Sequence, residues 1–234
     1  MSAARPGRKR GVRAEVPVTK DAIVEAAFRL IEERGLEAFS MRSLANELGV
    51  FPATLYWHVG DRSRLLGLVE YRWIEEVALP DELTDWRAWM LELGRRYRAH
   101  AFAHPNVTRL ATLERARNVE SLRIPDAIVG KLSALGLGDD LVHAFNAIMG
   151  AVRGFVLLEL APRAEPDDEQ EIEAELRSLD RDEFPHLTAH FEQMADRALS
   201  VRWSNGADAP LDASFDFLME LLIDGIAARI GDRR

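Results

Sequence analysis

Thr54, Tyr56, Trp57 and His58 fall in one run of eight residues, Pro52 to Val59, with Ala53 inside it and Arg62 just beyond. Hydroxyls, an imidazole and a guanidinium at this spacing suit the holding of phosphates and base edges. On a helix, Leu55 and Val59, four apart, form a core-facing row. Ala53 and Trp57 then point away from the core, with Thr54 and His58 on one flank and Tyr56 on the other. Large aromatics turned outward call for a partner surface or a groove. The alternative is that Tyr56 and Trp57 pack against a neighbouring helix of the same chain.

The elements that position this run are legible around it. Leu44, Ala45 and Leu48 give a preceding helix one apolar face, and Gly49 supplies the left-handed conformation that ends it. Pro52 suits the first turn of the next helix, where its missing N–H is no loss. Two short helices across a glycine bend form a helix-turn-helix, whose second helix enters the major groove. A supporting helix is predicted from Lys20 to Arg34, with apolar rows Ile23-Ala27-Leu30 and Val24-Phe28-Ile31, stopped by Gly35. A fourth helix, from about Arg62 to Leu79 with Asp61 as N-cap, is about 27 Å long. It links the reading pair to whatever follows, and Pro80 ends it.

Between Lys20 and Arg72 these residues resemble the tetracycline-repressor family of one-component regulators. The likeness rests on KDAIVEAAFRLIEERG, on the Ser40-Met41-Arg42 helix opening, on Leu55-Tyr56-Trp57-His58-Val59, and on the Asp61-Arg62 step. The resemblance implies that Arg42 reads a guanine. It implies that Ser40, Tyr56, His58 and Arg62 contact phosphate or backbone, and that Ala53, Thr54 and Trp57 face the groove. Phe51 departs from the family, where a small polar residue often caps the recognition helix. Phe51 either packs beneath the helix or touches a thymine methyl.

Charge divides the chain. Overall it is −9, yet residues 1–72 hold 12 Lys/Arg against 9 Asp/Glu, and residues 73–234 hold 18 against 30. A basic front neutralises phosphates while an acidic remainder faces away from them. Arg5, Arg8, Lys9, Arg10 and Arg13 lie in a Gly/Pro-containing arm. Two readings of the arm stand: arginines ordering in a minor groove, or a solvated tail. The chain has no cysteine, which excludes disulfides, thiolate zinc sites and thiol nucleophiles. No secretory signal is evident and the apolar runs fall short of a membrane span, so a cytoplasmic protein is expected.

Further helices are predicted at about 85–103, 106–119, 125–135, 139–161, 169–179, 185–199 and 212–230, giving an all-α chain. The expected organisation is a disordered arm over 1–18, a DNA-binding headpiece over 19–66, and a ligand-binding and dimerisation domain over 67–234. Residues 163–183 hold ten acids and three arginines, and read as a solvated loop bearing a short helix. Phe145, Ile148, Val152, Phe155 and Val156, together with Phe215, Leu218, Met219, Leu222 and Ile226, form apolar stripes on two helices, which for part of their area must fill the chain's own core. We expect a homodimer through helices about 139–161 and 212–230, because one recognition helix reads too few base pairs alone. The resemblance implies the same.

A polar line of His143, Asn146 and Arg153 on the first of these helices, with Trp86, Trp89, Met90 and Leu93 as an apolar wall, suggests a pocket for a small-molecule inducer of unknown identity. Arg153 pairing with a carboxylate is the competing explanation. His100 and His104 are four apart, but with no third ligand evident they read as structural histidines, and neither a metal nor a cofactor is expected. No Gly-rich phosphate loop and no Ser/His/Asp spacing points to an enzyme. The expected function is a ligand-responsive regulator, a repressor released from a palindromic DNA operator by a small molecule. The alternative is a sequence-indifferent architectural DNA binder.

Overall fold

The computed structural model describes residues 18–81, 85–113, 122–161, 166–204 and 206–231. Every regular element among them is helical. The basic arm lies outside the described residues.

Each helix of the headpiece begins where the local chemistry supplies a cap. Thr19 Oγ1 accepts the Ala22 N–H at 3.1 Å and opens α1, Lys20–Arg34. Gly35, at φ 77°, closes it by donating to the Ile31 carbonyl. Ser40 and Ser43 cap each other at the start of α2, Met41–Glu47, each side chain accepting the other's backbone N–H. Gly49, at φ 67°, makes the bend that few other residues adopt. Pro52 then starts α3, Pro52–Val59, which has no side-chain cap because Phe51 holds the N-cap position. Asp61 Oδ1 accepts from Arg64 N–H at 2.8 Å and opens α4, Arg62–Glu75.

Leu44, Ala45, Leu55, Val59 and Leu65 are fully buried against Ile23, Ala27, Leu30 and Ile31 of α1. Burial of such side chains, about 1.5–3 kcal/mol each, holds α2 and α3 at a fixed angle.

The larger part comprises α5, Trp86–Ala103; α6, Pro105–Leu113; α7, Arg123–Ser133; α8, Leu141–Glu159; α9, Pro166–Arg177; α10, Pro185–Ala189; α11, Phe191–Met194; and α12, Asp212–Gly231. α5, α8 and α12 pack on one another, α7 lies against α8, and α6 packs on both α1 and α4. Asn106 Nδ2 donates to the Glu32 carbonyl at 2.9 Å, and the Val107 N–H to Glu32 Oε2 at 3.1 Å, tying α6 to α1. Beneath the bundle, Glu159 is fully buried. Its carboxylate receives Arg98 through both oxygens, at 2.6 and 2.8 Å, and the Leu211 N–H at 2.6 Å.

Three expectations change and a fourth is divided between core and surface. α4 ends at Glu75 rather than near Leu79, because a side chain takes over its terminal carbonyls before Pro80 is reached: Arg123 donates to those of Ile74, Glu75 and Val77. The helix expected over 185–199 is broken into α10 and α11, with Asp196 at positive φ accepting the Trp203 and Ser204 N–H groups. The apolar stripes of α8 and α12 prove to be mostly internal. Ile148, Val152, Val156, Phe215, Met219 and Ile226 are buried within the chain. Finally, Gly138–Glu159 is, by length and apolar content, long enough to cross a membrane, against the expectation that no stretch would be. Its inner side is packed in this bundle and its outer side is open.

Candidate functional site

The recognition surface stands as the helical spacing requires. Leu55 and Val59 are buried, Trp57 is 82% exposed and Tyr56 51% exposed. Ala53 is exposed, and Thr54 and His58 are half-buried on one flank. The Trp57 and His58 rings meet edge to face at 4.6 Å, so the two side chains support each other outside the core. The chain's own interior therefore does not cover this face. Phe51 is 67% exposed, which removes the option of packing beneath the helix. Arg42 and Arg62 are exposed beside α3, with Arg62 over the Phe39 ring. Ser40 is exposed too, and its hydroxyl is engaged in the α2 cap. Arg8, Lys9 and Arg10 lie outside the described residues.

A second feature lies under α4. Glu70 and Ile74 of α4, Met90, Leu93 and Tyr97 of α5, Ile124 and Ile128 of α7, Met149 and Arg153 of α8, and Met219 of α12 line one cavity. Its free volume is about 40 Å³, room for a few waters, whereas drug-sized ligands occupy roughly 300 Å³ or more. Three methionines line it, and their unbranched side chains re-pack readily around a guest. Two charged groups face it. Burial, outweighing the opposing Arg153 charge, pushes the Glu70 carboxyl up to about 7. Glu70 Oε2 and Arg153 Nε are both buried without a hydrogen-bond partner, a costly state that a polar ligand group would relieve.

Of the seven residues expected at a pocket, the cavity takes Met90, Leu93 and Arg153. Trp89 is buried elsewhere, its indole N–H donating to the Pro80 carbonyl at 3.3 Å with Lys131 over its ring. Trp86 is half-buried under Arg87. His143 and Asn146 are exposed, because α8 turns them outward. Glu70 was missed, although the sequence carried a signal: it sits four residues after Leu66 and three before Trp73, an acid on the buried face of α4.

The outer face of α8 carries His143, Ala147, Gly150, Gly154 and Leu158, which share one side at helical spacing. A Cβ added at Gly150 or Gly154 would meet nothing within 4 Å, so this side is open. On α12, Phe217 and Leu221, one turn apart, are 63% and 57% exposed. Ala147, Leu221 and Gly225 line a shared hollow between the two helices.

Comparison with known proteins accounts for both halves. Residues 23–67 match the family described as bacterial regulatory proteins, tetR family, and residues 79–230 match the tetracyclin repressor-like C-terminal domain. An HTH-type transcriptional regulator of Saccharopolyspora erythraea is 28% identical over 218 residues, covering 92% of this chain and 86% of that protein. The HTH-type transcriptional repressor DrrR1 of Streptomyces coeruleorubidus is 26% identical, covering 97% of this chain and 84% of its own length. Among solved structures, apo ActR of Streptomyces coelicolor superposes with a TM-score of 0.74 at 27% identity, covering 94% of this chain and all of the other. ActR in complex with actinorhodin gives 0.75 at 26% identity, covering 93% and 99%. With its reading helix exposed and a lined cavity behind it, the chain belongs to the TetR family and is a ligand-responsive, DNA-binding transcriptional regulator.

Proposed function

We infer that this regulator occupies a palindromic operator as a homodimer and is released when an apolar molecule bearing a polar group enters the cavity beneath α4. The observation that carries this is the placement of Glu70 and Ile74, two cavity-lining residues, on the helix whose first turn adjoins the recognition helix. A ligand larger than the present free volume enters only if the wall yields, and α4 is part of the wall. Whatever displaces α4 changes the spacing of the two reading heads. By linkage, a ligand favouring the displaced state lowers operator affinity by the same factor.

Dimerisation through the open faces of α8 and α12 supplies the second reading head. Exposed Leu158, Phe217 and Leu221 want a cover, and the small residues of α8 let another helix approach closely. The two-fold axis gives the operator its symmetry. Tyr56, Trp57, Thr54 and Arg42 read bases and phosphates, while His58 and Arg62 hold the backbone. The protein works by binding, without turnover, where DNA is accessible in the cytoplasm. Complexes such as that of ActR with actinorhodin support a small-molecule effector here.

Selection of bound DNA from a random duplex pool tests this. Recovery of a two-fold symmetric site, bound several kcal/mol better than random duplex, is the expected result. Uniform recovery of all sequences would instead establish an architectural DNA binder.

A further inference from the structure

The histidine pair set aside for want of a third ligand acquires one from the fold. Glu76, at the C-terminal end of α4, brings Oε2 to 3.9 Å from His104 Nε2 and 4.0 Å from His100 Nε2. Ligand atoms of all three residues lie within 4.8 Å of one another. The two imidazoles meet edge to face at 5.0 Å. From this geometry we propose that Glu76, His100 and His104 form a binding site for a divalent transition-metal ion such as Zn²⁺.

The donor set fits that class. Two imidazoles and one carboxylate suit zinc and its neighbours, and leave a fourth position open. Tetrahedral zinc with donors at about 2.1 Å places them about 3.4 Å apart, so the two Glu76 separations close by about half an ångström, and the third, within 4.8 Å, by up to about 1.4 Å. Glu76 is an exposed side chain at a helix end and gives easily. Its other oxygen, Oε1, is held by Arg72, which aims Oε2 at the histidines. Arg72 also opposes the metal as a like charge, so moderate affinity follows.

A metal needs the Nε2 atom of each imidazole free of hydrogen. Burial, followed by the facing His104, pushes His100 below its ordinary range, the direction that favours the uncharged ring. His100 Nε2 donates to the Trp73 carbonyl at 2.9 Å; to bind the ion it gives up that contact and carries its hydrogen on Nδ1 instead, leaving the carbonyl with the Glu76 N–H at 3.3 Å. His104 Nδ1 is buried with no partner, so this ring is not fully committed to a structural hydrogen bond.

The position gives binding a consequence. Glu76 is the C-cap of α4, His100 lies in the last turn of α5 and His104 is its C-cap, and the His104 ring rests on Phe28 of α1 at 5.0 Å. One ion would tie the end of α4 to α5 at a point that touches the headpiece.

The test is calorimetric titration of the full-length, tag-free chain with Zn²⁺, alongside thermal melts. The expected result is one ion per chain, micromolar or tighter, with a melting temperature several degrees higher at saturation. Glu76→Gln, on an exposed side chain, and His104→Gln each weaken binding tenfold or more, whereas the double variant His186→Gln, His190→Gln, at exposed positions in α10 and at its C-cap, outside the donor set, binds as the parent does. Titrating Co²⁺ gives a visible absorption band that His100→Gln removes. Absence of saturable binding, or equal affinity in the parent, Glu76→Gln and His104→Gln, overturns the site.

Discussion

Glu70 of α4 and Arg153 of α8 line the same cavity, and each keeps a buried polar atom, Oε2 and Nε, without a hydrogen bond. A carboxyl held near pH 7 by burial is a cost to the fold once it ionises. Its folded pKa lies above the ordinary 4.5, so the native state binds more protons than the unfolded chain between about pH 4.5 and 7. Stability from this group is complete below about 4.5 and is lost as pH rises through about 7. Glu70→Gln should remove that part of the slope, leaving a flatter profile of denaturation midpoint against pH. An unchanged profile would assign the slope to other groups.

Arg153→Met removes the cavity's cation at similar volume. Screening planar aromatic acids by thermal shift should give hits that also lower operator affinity in the parent. Those hits should lose roughly tenfold or more in affinity, about 1.4 kcal/mol, in the variant. Hits that bind both forms equally would place their site elsewhere.

Trp57→Ala and Tyr56→Ala should leave the melting temperature nearly unchanged, because both side chains are largely outside the core. Operator binding should fall by at least about tenfold in each, measured by fluorescence anisotropy at fixed salt. Leu55→Ala, at a fully buried position, should behave oppositely and cost about 2–5 kcal/mol of stability.

Arg123 from α7 donates to three carbonyls at the end of α4, the shortest contact at 2.7 Å to Val77. Arg123→Ala should cost about 1–3 kcal/mol in denaturant melts by taking its donor from the Glu75 and Val77 carbonyls, while that of Ile74 keeps the Val77 N–H. It should also alter inducer response, since the lever loses its far anchor. A stability loss with an identical response curve would make Arg123 purely structural.

Glu159 is buried and held by Arg98 and by the Leu211 N–H. Glu159→Ala leaves Arg98 with Asp212 alone, at 2.6 Å, and the Leu211 N–H unmet, so it should cost about 1–3 kcal/mol in chemical denaturation. Phe217→Glu with Leu221→Glu, on exposed α12 positions, should instead preserve helicity and yield a monomer in ultracentrifugation, with operator affinity lost.

The headpiece was legible because it is built from local rules. Thr19, Ser40, Asp61, Gly49 and Pro52 set their helix ends through neighbours at most four residues away. Leu55 and Val59 fixed the inward side of α3, so the outward side followed from the helical repeat. Phe51 was undecided because exposure at a turn depends on what lies across it.

Amino-acid order alone determined the all-helical class, the reading helix and its outward aromatics, and the division of charge between the two halves. These depend on contacts within one or two turns, where spacing and side-chain chemistry suffice. Tertiary structure decided where α4 stops, since Arg123 comes from a helix about fifty residues later. It decided that the apolar stripes of α8 and α12 turn inward while Leu158, Phe217 and Leu221 stay out. It also brought Glu70 to Arg153 and Glu76 to the two histidines. Such meetings are fixed by how whole helices pack, and the helical repeat of any single segment carries no record of its partner.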